Sequence, residues 1–533
     1  MSSAPQPRAR RTSTGGAGPR RDGNGRPGRM PGTPVYHRIA EGFRQRIRDG
    51  SLQPGERLPS VREEALKLRV NRMTVAHAYR TLAREGLVRG TVGSGTIVTG
   101  GGSAPPGQPA PAASALLWEG LTNESVDTVA EILRGVESIE SDTVRGIAAF
   151  ERAVPDPDLL RPQLLRNALC AALADEGSRL LGAGPVEGHP ELRRAVALLL
   201  AGRGLVCSED DVLIVNGVQQ GLDLILRTFF APGETAVTDD PAYYRSLLLF
   251  RYHRAHLRGL PVDTDGNRAT MLDSVLSERP ARLIYTVSTF HNPTGRTQSR
   301  EERLEFLVSA QRRPLVLVED DSLWELRYEG RPVPPLRALD DSNRILSLGS
   351  FSKILAPGLR LGWVVGPPQA LAALKQVKEI ADLRGNLLTQ AAVARLVLEG
   401  KLAAHVKHTL SIYRKRRDVM ATALERYFPS EARWQKPEGG LTFWVTFPQG
   451  CDTRRLLDRS QARGVSYCPG TVFRVRGGGE NQMRLAFGHL KPAAIERGLK
   501  VLGALSHEEV VRGRRDAGGR IRSRAVEAAG PLF

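Results

Sequence analysis

The stretch SLGSFSKILAPGLRLGW, residues 347–363, is an apolar run that ends in Ser350, Ser352 and Lys353, with Arg360 seven residues beyond the lysine. RILSLGS reads as a buried strand. A lysine at its end would ordinarily be a solvated charge, so the reading rests on its companions. LVLVEDDSL (315–323) is a second apolar strand, ending in Glu319, Asp320 and Asp321. A carboxylate at a strand's C-terminal edge lies where open α/β sheets bind ligands. YTVSTFHNPTG (285–295) ends another strand with Asn292 in an Asn-Pro-Thr-Gly turn. VLIVNGVQQGLDLI (212–225) reads as strand, glycine turn and helix, and a helix N-terminus offers free N–H groups to an anion. DDPAYY places Tyr243 after a third strand. From about residue 144 to 505, such β-runs alternate with amphipathic helical segments. This is the signature of an α/β domain with a mainly parallel sheet.

The five segments together supply what pyridoxal 5'-phosphate (PLP) needs. The cofactor requires a lysine amine for a Schiff base and cationic and hydroxyl donors for its phosphate. It also uses a carboxylate that holds the pyridine nitrogen protonated, which makes the ring an electron sink. An amide donor, as in Asn292, suits the phenolic oxygen, and an aromatic ring, as in Tyr243, stacks on the pyridine.

Outward from this centre, 533 residues exceed one ordinary core, so two or more domains are expected. An apolar content of 41% supports globular domains, but no long apolar run marks a transmembrane helix. The N-terminus lacks the apolar core of a signal peptide, so a cytoplasmic location is expected. Cys170, Cys207, Cys451 and Cys468 lie far apart and form no CxxC pair. They read as reduced thiols, with neither a metal site nor a disulfide framework. The net charge of +19 fits a polyanionic partner, and equally a solubility device or a basic tail.

Residues 1–33 are Arg, Gly, Ser and Pro with few large apolar side chains, and read as a disordered basic tail. A unit spans 34–100. YHRIAEGFRQRIRDG places Ile39, Phe43 and Ile47 at helical spacing before Gly50. Ser60 N-caps a second helix, with Glu63 completing a capping box. The third helix follows Asn71, with Val75, Ala78, Tyr79 and Leu82 on its core face, and ends at Gly86. LVRGTVGSGTIVTG reads as two short strands about a glycine turn. The sum is a winged helix-turn-helix, whose third helix suits the major groove of DNA. A Gly/Pro/Ala linker, 101–143, joins the units. Residues 506–533 are charged and are expected to fray.

LPSVREEA, NRMTVAHAYRTLAREGLV and GSGTIV resemble the GntR family of bacterial regulators over essentially the whole first unit. That resemblance implies DNA contacts by Arg62, Arg72 and Thr74, with the wing at Gly93 approaching the minor groove. The second unit resembles a fold-type I aminotransferase, with a smaller α+β subdomain beside its sheet. The combination resembles the MocR subfamily of GntR regulators over about residues 34–505. It implies Lys353 as the Schiff-base lysine, Asp320 on the pyridine nitrogen, Asn292 on the phenolic oxygen and Tyr243 on the ring. Val218, Gln219, Ser350, Ser352 and Arg360 would form the phosphate cup. In ENQMRLAFGHL, Arg484 would bind an amino acid's α-carboxylate through a guanidinium fork.

Two departures from the family pattern stand out. Ala183 replaces a tyrosine that reaches the partner subunit's phosphate, and Ser322-Leu323-Trp324 replaces a stretch with a tyrosine that bonds the phenolic oxygen. Val218 also stands where a serine or alanine is frequent. The leading expectation is a homodimeric, PLP-binding transcriptional regulator that senses PLP, an amino acid or an amine. A working aminotransferase with a DNA-binding head and a degenerate dimerisation scaffold are the alternatives.

Overall fold

A computed structural model of the chain describes residues 35–91 except 69 and 71, residues 95–99, scattered positions between 123 and 133, and residues 146–262 and 267–528. The basic tail, most of the linker, Asn71 and Gly93 lie outside the described residues. The chain divides into two units, residues 1–117 and 118–533.

In the first unit, α1 (Val35–Arg48) turns Ala40 and Phe43 inward. α2 (Val61–Leu68) follows a capping box in which Glu63 N donates to Ser60 Oγ at 3.2 Å and Ser60 N donates to Glu63 Oε2 at 2.9 Å. α3 (Arg72–Arg84) buries all four side chains that its spacing assigns to the core, Val75, Ala78, Tyr79 and Leu82. Tyr79 meets the Phe43 ring edge-on at 5.3 Å, and its hydroxyl donates to Pro59 O at 2.9 Å. A bidentate pair from Arg44 to Glu85 ties α1 to the end of α3. After Gly86, β1 (Val88–Thr91) and β2 (Gly95–Val98) pair antiparallel, with Val88 opposite Val98. Helix, helix, helix and wing thus follow the expected order.

In the second unit, β4 (Val212–Val215), β5 (Thr235–Asp240), β6 (His256–Pro261), β7 (Leu283–Thr286), β8 (Val316–Asp320), β9 (Ile345–Ser350) and β10 (Gly362–Val365) form one sheet. Their order is β4-β10-β9-β8-β7-β5-β6. The pairs from β6 to β9 are parallel, and β10 runs antiparallel to both its neighbours. Successive residues point to opposite faces. Ala236, Tyr285 and Val318 pack under helices 218–229 and 368–382, whereas Val237, Ile284 and Leu317 pack under helices 268–278 and 300–311. Burial on both faces is why these strands read as continuous apolar runs.

A smaller sheet of this unit is built from β11 (Thr442–Thr446), β14 (Gln482–Ala486) and β13 (Cys468–Pro469). Beside it β3 (Ala148–Ala149) pairs parallel with β12 (Val465–Ser466). The expected frayed tail after 505 is corrected here. The last helix is continuous over Pro492–Ala528. Ser506, Glu509 and Val510 are buried, because Glu509 accepts from Asp452 N at 3.1 Å and pairs with Arg455 and Arg459. Among the described residues no helix is long and apolar enough to cross a membrane, and no cluster of side chains suits a metal ion.

Candidate cofactor and ligand site

One cavity of about 860 Å³ is lined by Val218, Gln219, Tyr243, Asn292, Asp320, Ser350, Ser352, Lys353, Arg360 and Arg484. These are all ten residues expected at the cofactor and its ligand. Sheet topology brings them together: each lies at or near the end of a strand of the large sheet, or on the small sheet.

Lys353 lies three residues past β9, and its Nζ donates to Ala153 O at 2.9 Å. Desolvation pulls the ammonium down to about 8, helped by the positive charges of Arg484 and Arg360 and opposed by Asp320. The free amine, the nucleophilic form, is therefore accessible near neutral pH.

Asp320 ends β8 and is buried. Its Oδ2 accepts from Tyr285 Oη at 2.7 Å and its Oδ1 from Ser322 N at 3.1 Å. Burial lifts the carboxyl above the ordinary range, while hydrogen bonds from Ser322 and Tyr285 and the charge on Lys353 pull it down. A cation delivered from solvent would stabilise its charged form. The neighbouring Asp321 is already ion-paired with Arg203 and does not line the cavity.

At the other end, Gly217 takes φ +86° and caps the helix Val218–Phe229. The first N–H groups of a helix have no partner within it. A side chain at Gly217 would strike the Arg360 guanidinium, whose Nη2 lies 2.9 Å from that Cβ position. Arg360 itself adopts the left-handed region, φ 52° and ψ 45°, and donates to Asn216 O at 3.1 Å. A non-glycine residue held there marks a spot that the surroundings over-determine. Ser350 Oγ accepts from Ser352 N at 3.0 Å. Free helix N–H groups, a guanidinium and two hydroxyls at one place suit a phosphate.

Arg484, on β14, is almost wholly buried. Its Nη1 donates to Asn292 Oδ1 at 3.2 Å, which leaves the Asn292 NH2 as the end that donates. Its Nη2 donates to Glu151 O and to Cys468 Sγ, and its Nε finds no partner. A buried guanidinium with an unsatisfied N–H suits a ligand carboxylate. Asn292 stands six residues beyond β7, in a turn rather than at the strand's last position.

Of the departures, Ser322 and Leu323 line the cavity where a tyrosine was expected. Trp324 turns away, its ring 4.9 Å from the Arg203 guanidinium. Sequence reasoning missed Tyr285, Glu151, Arg152 and Arg245 in the lining. A tyrosine inside an apolar strand reads as core, and nothing local distinguished it.

In the first unit, Thr74 is half-buried on α3. Arg62 and Arg72 lie in the first turns of α2 and α3, with side chains outside the described residues, as is Gly93.

A twisted, mainly parallel sheet with a PLP-type cavity at its strand ends is the architecture of the aminotransferases, and comparison with known proteins extends this. The family "Aminotransferase class I and II" matches residues 155–502, and "Bacterial regulatory proteins, gntR family" matches residues 35–98. The chain belongs to the class I and II aminotransferase family, in the branch that joins this domain to a GntR-type helix-turn-helix. It is 30% identical to the uncharacterized HTH-type transcriptional regulator YisV of Bacillus subtilis, over 89% of this chain and 96% of that one. It is also 30% identical to the probable rhizopine catabolism regulatory protein MocR of Rhizobium meliloti, over 82% and 86%. Among solved structures, the multiple substrate aminotransferase of Thermococcus profundus superposes with a TM-score of 0.68 at 33% identity, covering 74% of this chain and 100% of that one. PLP is the cofactor that such a domain implies.

Proposed function

We propose that the protein is a PLP-dependent transcriptional regulator whose aminotransferase-like domain senses an amino acid or amine. The observation that carries this is the convergence of the lysine, aspartate, asparagine and arginine set on one cavity, in a chain that also has a winged helix-turn-helix. Bound PLP supplies an electrophilic carbonyl for amines and an electron-withdrawing ring. Lys353 holds it covalently, Asp320 faces the pyridine nitrogen, Asn292 donates to the phenolic oxygen and Tyr243 stacks on the ring. Val218, Gln219, Ser350, Ser352 and Arg360 bind the phosphate, and Arg484 binds the ligand carboxylate. DNA is contacted by Arg62, Arg72 and Thr74 on the helices and by the wing at Gly93. The protein acts in the cytoplasm as a homodimer, which matches paired half-sites on DNA. Ligand binding changes DNA affinity only through different affinity for two states of that dimer.

Footprinting of the full-length protein on DNA flanking its own gene tests this, with and without PLP and an amino-acid panel. A specific protected site whose occupancy shifts with ligand supports it; sequence-indifferent, salt-sensitive binding alone refutes it. Conversion of the bound cofactor to the pyridoxamine form by an amino acid would favour a working transaminase.

A further inference from the structure

Arg484 lies on β14, the middle strand of the small sheet, directly opposite Trp444 on β11 and Cys468 on β13. Residues opposite one another in a sheet project to the same face, so the three side chains stand abreast. Phe473 closes over them. Its ring centre lies 5.6 Å from that of Trp444, edge-on, and 5.0 Å from the Arg484 Cζ. Arg484 and Cys468 are both almost wholly buried. Held this way, the guanidinium has little room to swing, and what can change is which group accepts from it.

Nη2 carries two hydrogens and has two acceptors, the Glu151 carbonyl oxygen and, at 3.2 Å, Cys468 Sγ. The thiol donates in turn to the same Glu151 carbonyl at 3.7 Å, which turns a sulfur lone pair toward Nη2. Nη1 gives one hydrogen to Asn292 Oδ1, and Nε has no partner. A carboxylate docks bidentately on a guanidinium across Nη1 and Nη2 or across Nε and Nη2. Both modes use an Nη2 hydrogen, so a ligand carboxylate must displace one of the two acceptors there. A thiol sulfur is a weak acceptor and a peptide carbonyl a strong one, so the sulfur yields. Cys468 is not itself among the residues that line the cavity.

We propose that Cys468 is a positioning residue for Arg484: a weak acceptor that keeps a buried Nη2 hydrogen paired until a ligand arrives, and gives it up to the ligand carboxylate at little cost. The strength of this one contact sets how far the site prefers an amino acid over the amine that lacks its carboxyl group. The inference rests on the sensing reading above, which places a carboxylate on Arg484.

The test uses full-length protein loaded with PLP and follows the cofactor's visible absorption, with calorimetry as a second readout. L-norvaline is compared with butan-1-amine, and L-phenylalanine with 2-phenylethylamine. Each pair differs only by the carboxyl group, and the measured quantity is the ratio of the two affinities. Cys468→Ala removes the acceptor and should raise that ratio about threefold to tenfold, the worth of one neutral hydrogen bond. Cys468→Ser, close in size, offers a stronger acceptor and should lower it. Affinity for the two amines should stay as in the unmutated protein. Ratios that do not move, or that move in the same direction in both variants, overturn the proposal. So does an equal shift for amine and amino acid, because Cys468 would then only fill space. A spectrum of the unmutated protein that responds to no member of either pair overturns the sensing reading, and this inference with it.

Discussion

Tyr285 and Asp320 stand on neighbouring strands, and the Tyr285 phenol donates to Asp320 Oδ2 at 2.7 Å inside the protein. Burial raises the Asp320 carboxyl, and this bond offsets part of that rise. Tyr285→Phe removes the donor and lets burial push the carboxyl further up. The loss of a hydrogen bond to a buried charge is about 1–3 kcal/mol. We expect PLP to bind about tenfold more weakly, read by absorbance titration, and the urea midpoint of the unloaded protein to fall.

Burial pulls the Lys353 ammonium from the ordinary 10.5 down to about 8. Only the neutral amine attacks a carbonyl. PLP loading of the unloaded protein should therefore speed up from pH 7 to 9 with a midpoint near 8. An unshifted lysine would keep rising well past pH 9. Lys353→Ala should abolish the adduct that borohydride traps, as seen by mass spectrometry.

The Ser60–Glu63 capping box starts α2 and satisfies two backbone and side-chain pairings at once. Ser60→Ala should destabilise the first unit by about 1 kcal/mol, measured as a lower Tm. Arg72→Ala, at the start of α3, should weaken DNA binding. If the lost contact is to a guanine edge, the cost is about 1–3 kcal/mol and specificity relaxes at one base pair; if it is to phosphate, binding weakens uniformly and the salt slope falls by about one.

Glu509 is buried and bridges Asp452 N, Arg455 and Arg459. Glu509→Ala leaves two arginines without that partner. We expect a loss of about 3 kcal/mol in the small-sheet layer, seen as an earlier urea transition. Truncation after residue 505 should do at least as much, whereas a frayed tail could be removed without effect.

The strand ends were readable because buried strands give unbroken apolar runs, so a polar cluster at the end of one is conspicuous. Asp320 stands at such a boundary, Lys353 three residues past one and Asn292 six. The core of the first unit was readable because Val75, Ala78, Tyr79 and Leu82 repeat at helical spacing. Neither rule reaches a partner that is distant in sequence. Which aspartate of the 320–321 pair faces the cavity depends on Arg203, more than a hundred residues earlier, holding the other. The burial of Glu509 depends on Arg455 and Arg459, so a charged stretch looked solvated.

The hydrogen bond from Lys353 to Ala153 O crosses from the large sheet to the chain just after β3. Among the described residues that strand is the first of the second unit, four residues upstream of Ala153. An amine committed to the cofactor can no longer hold that carbonyl. Filling the cavity and freeing the Ala153 carbonyl are thus one chemical event, and the backbone amides around residue 153 should report it in hydrogen exchange.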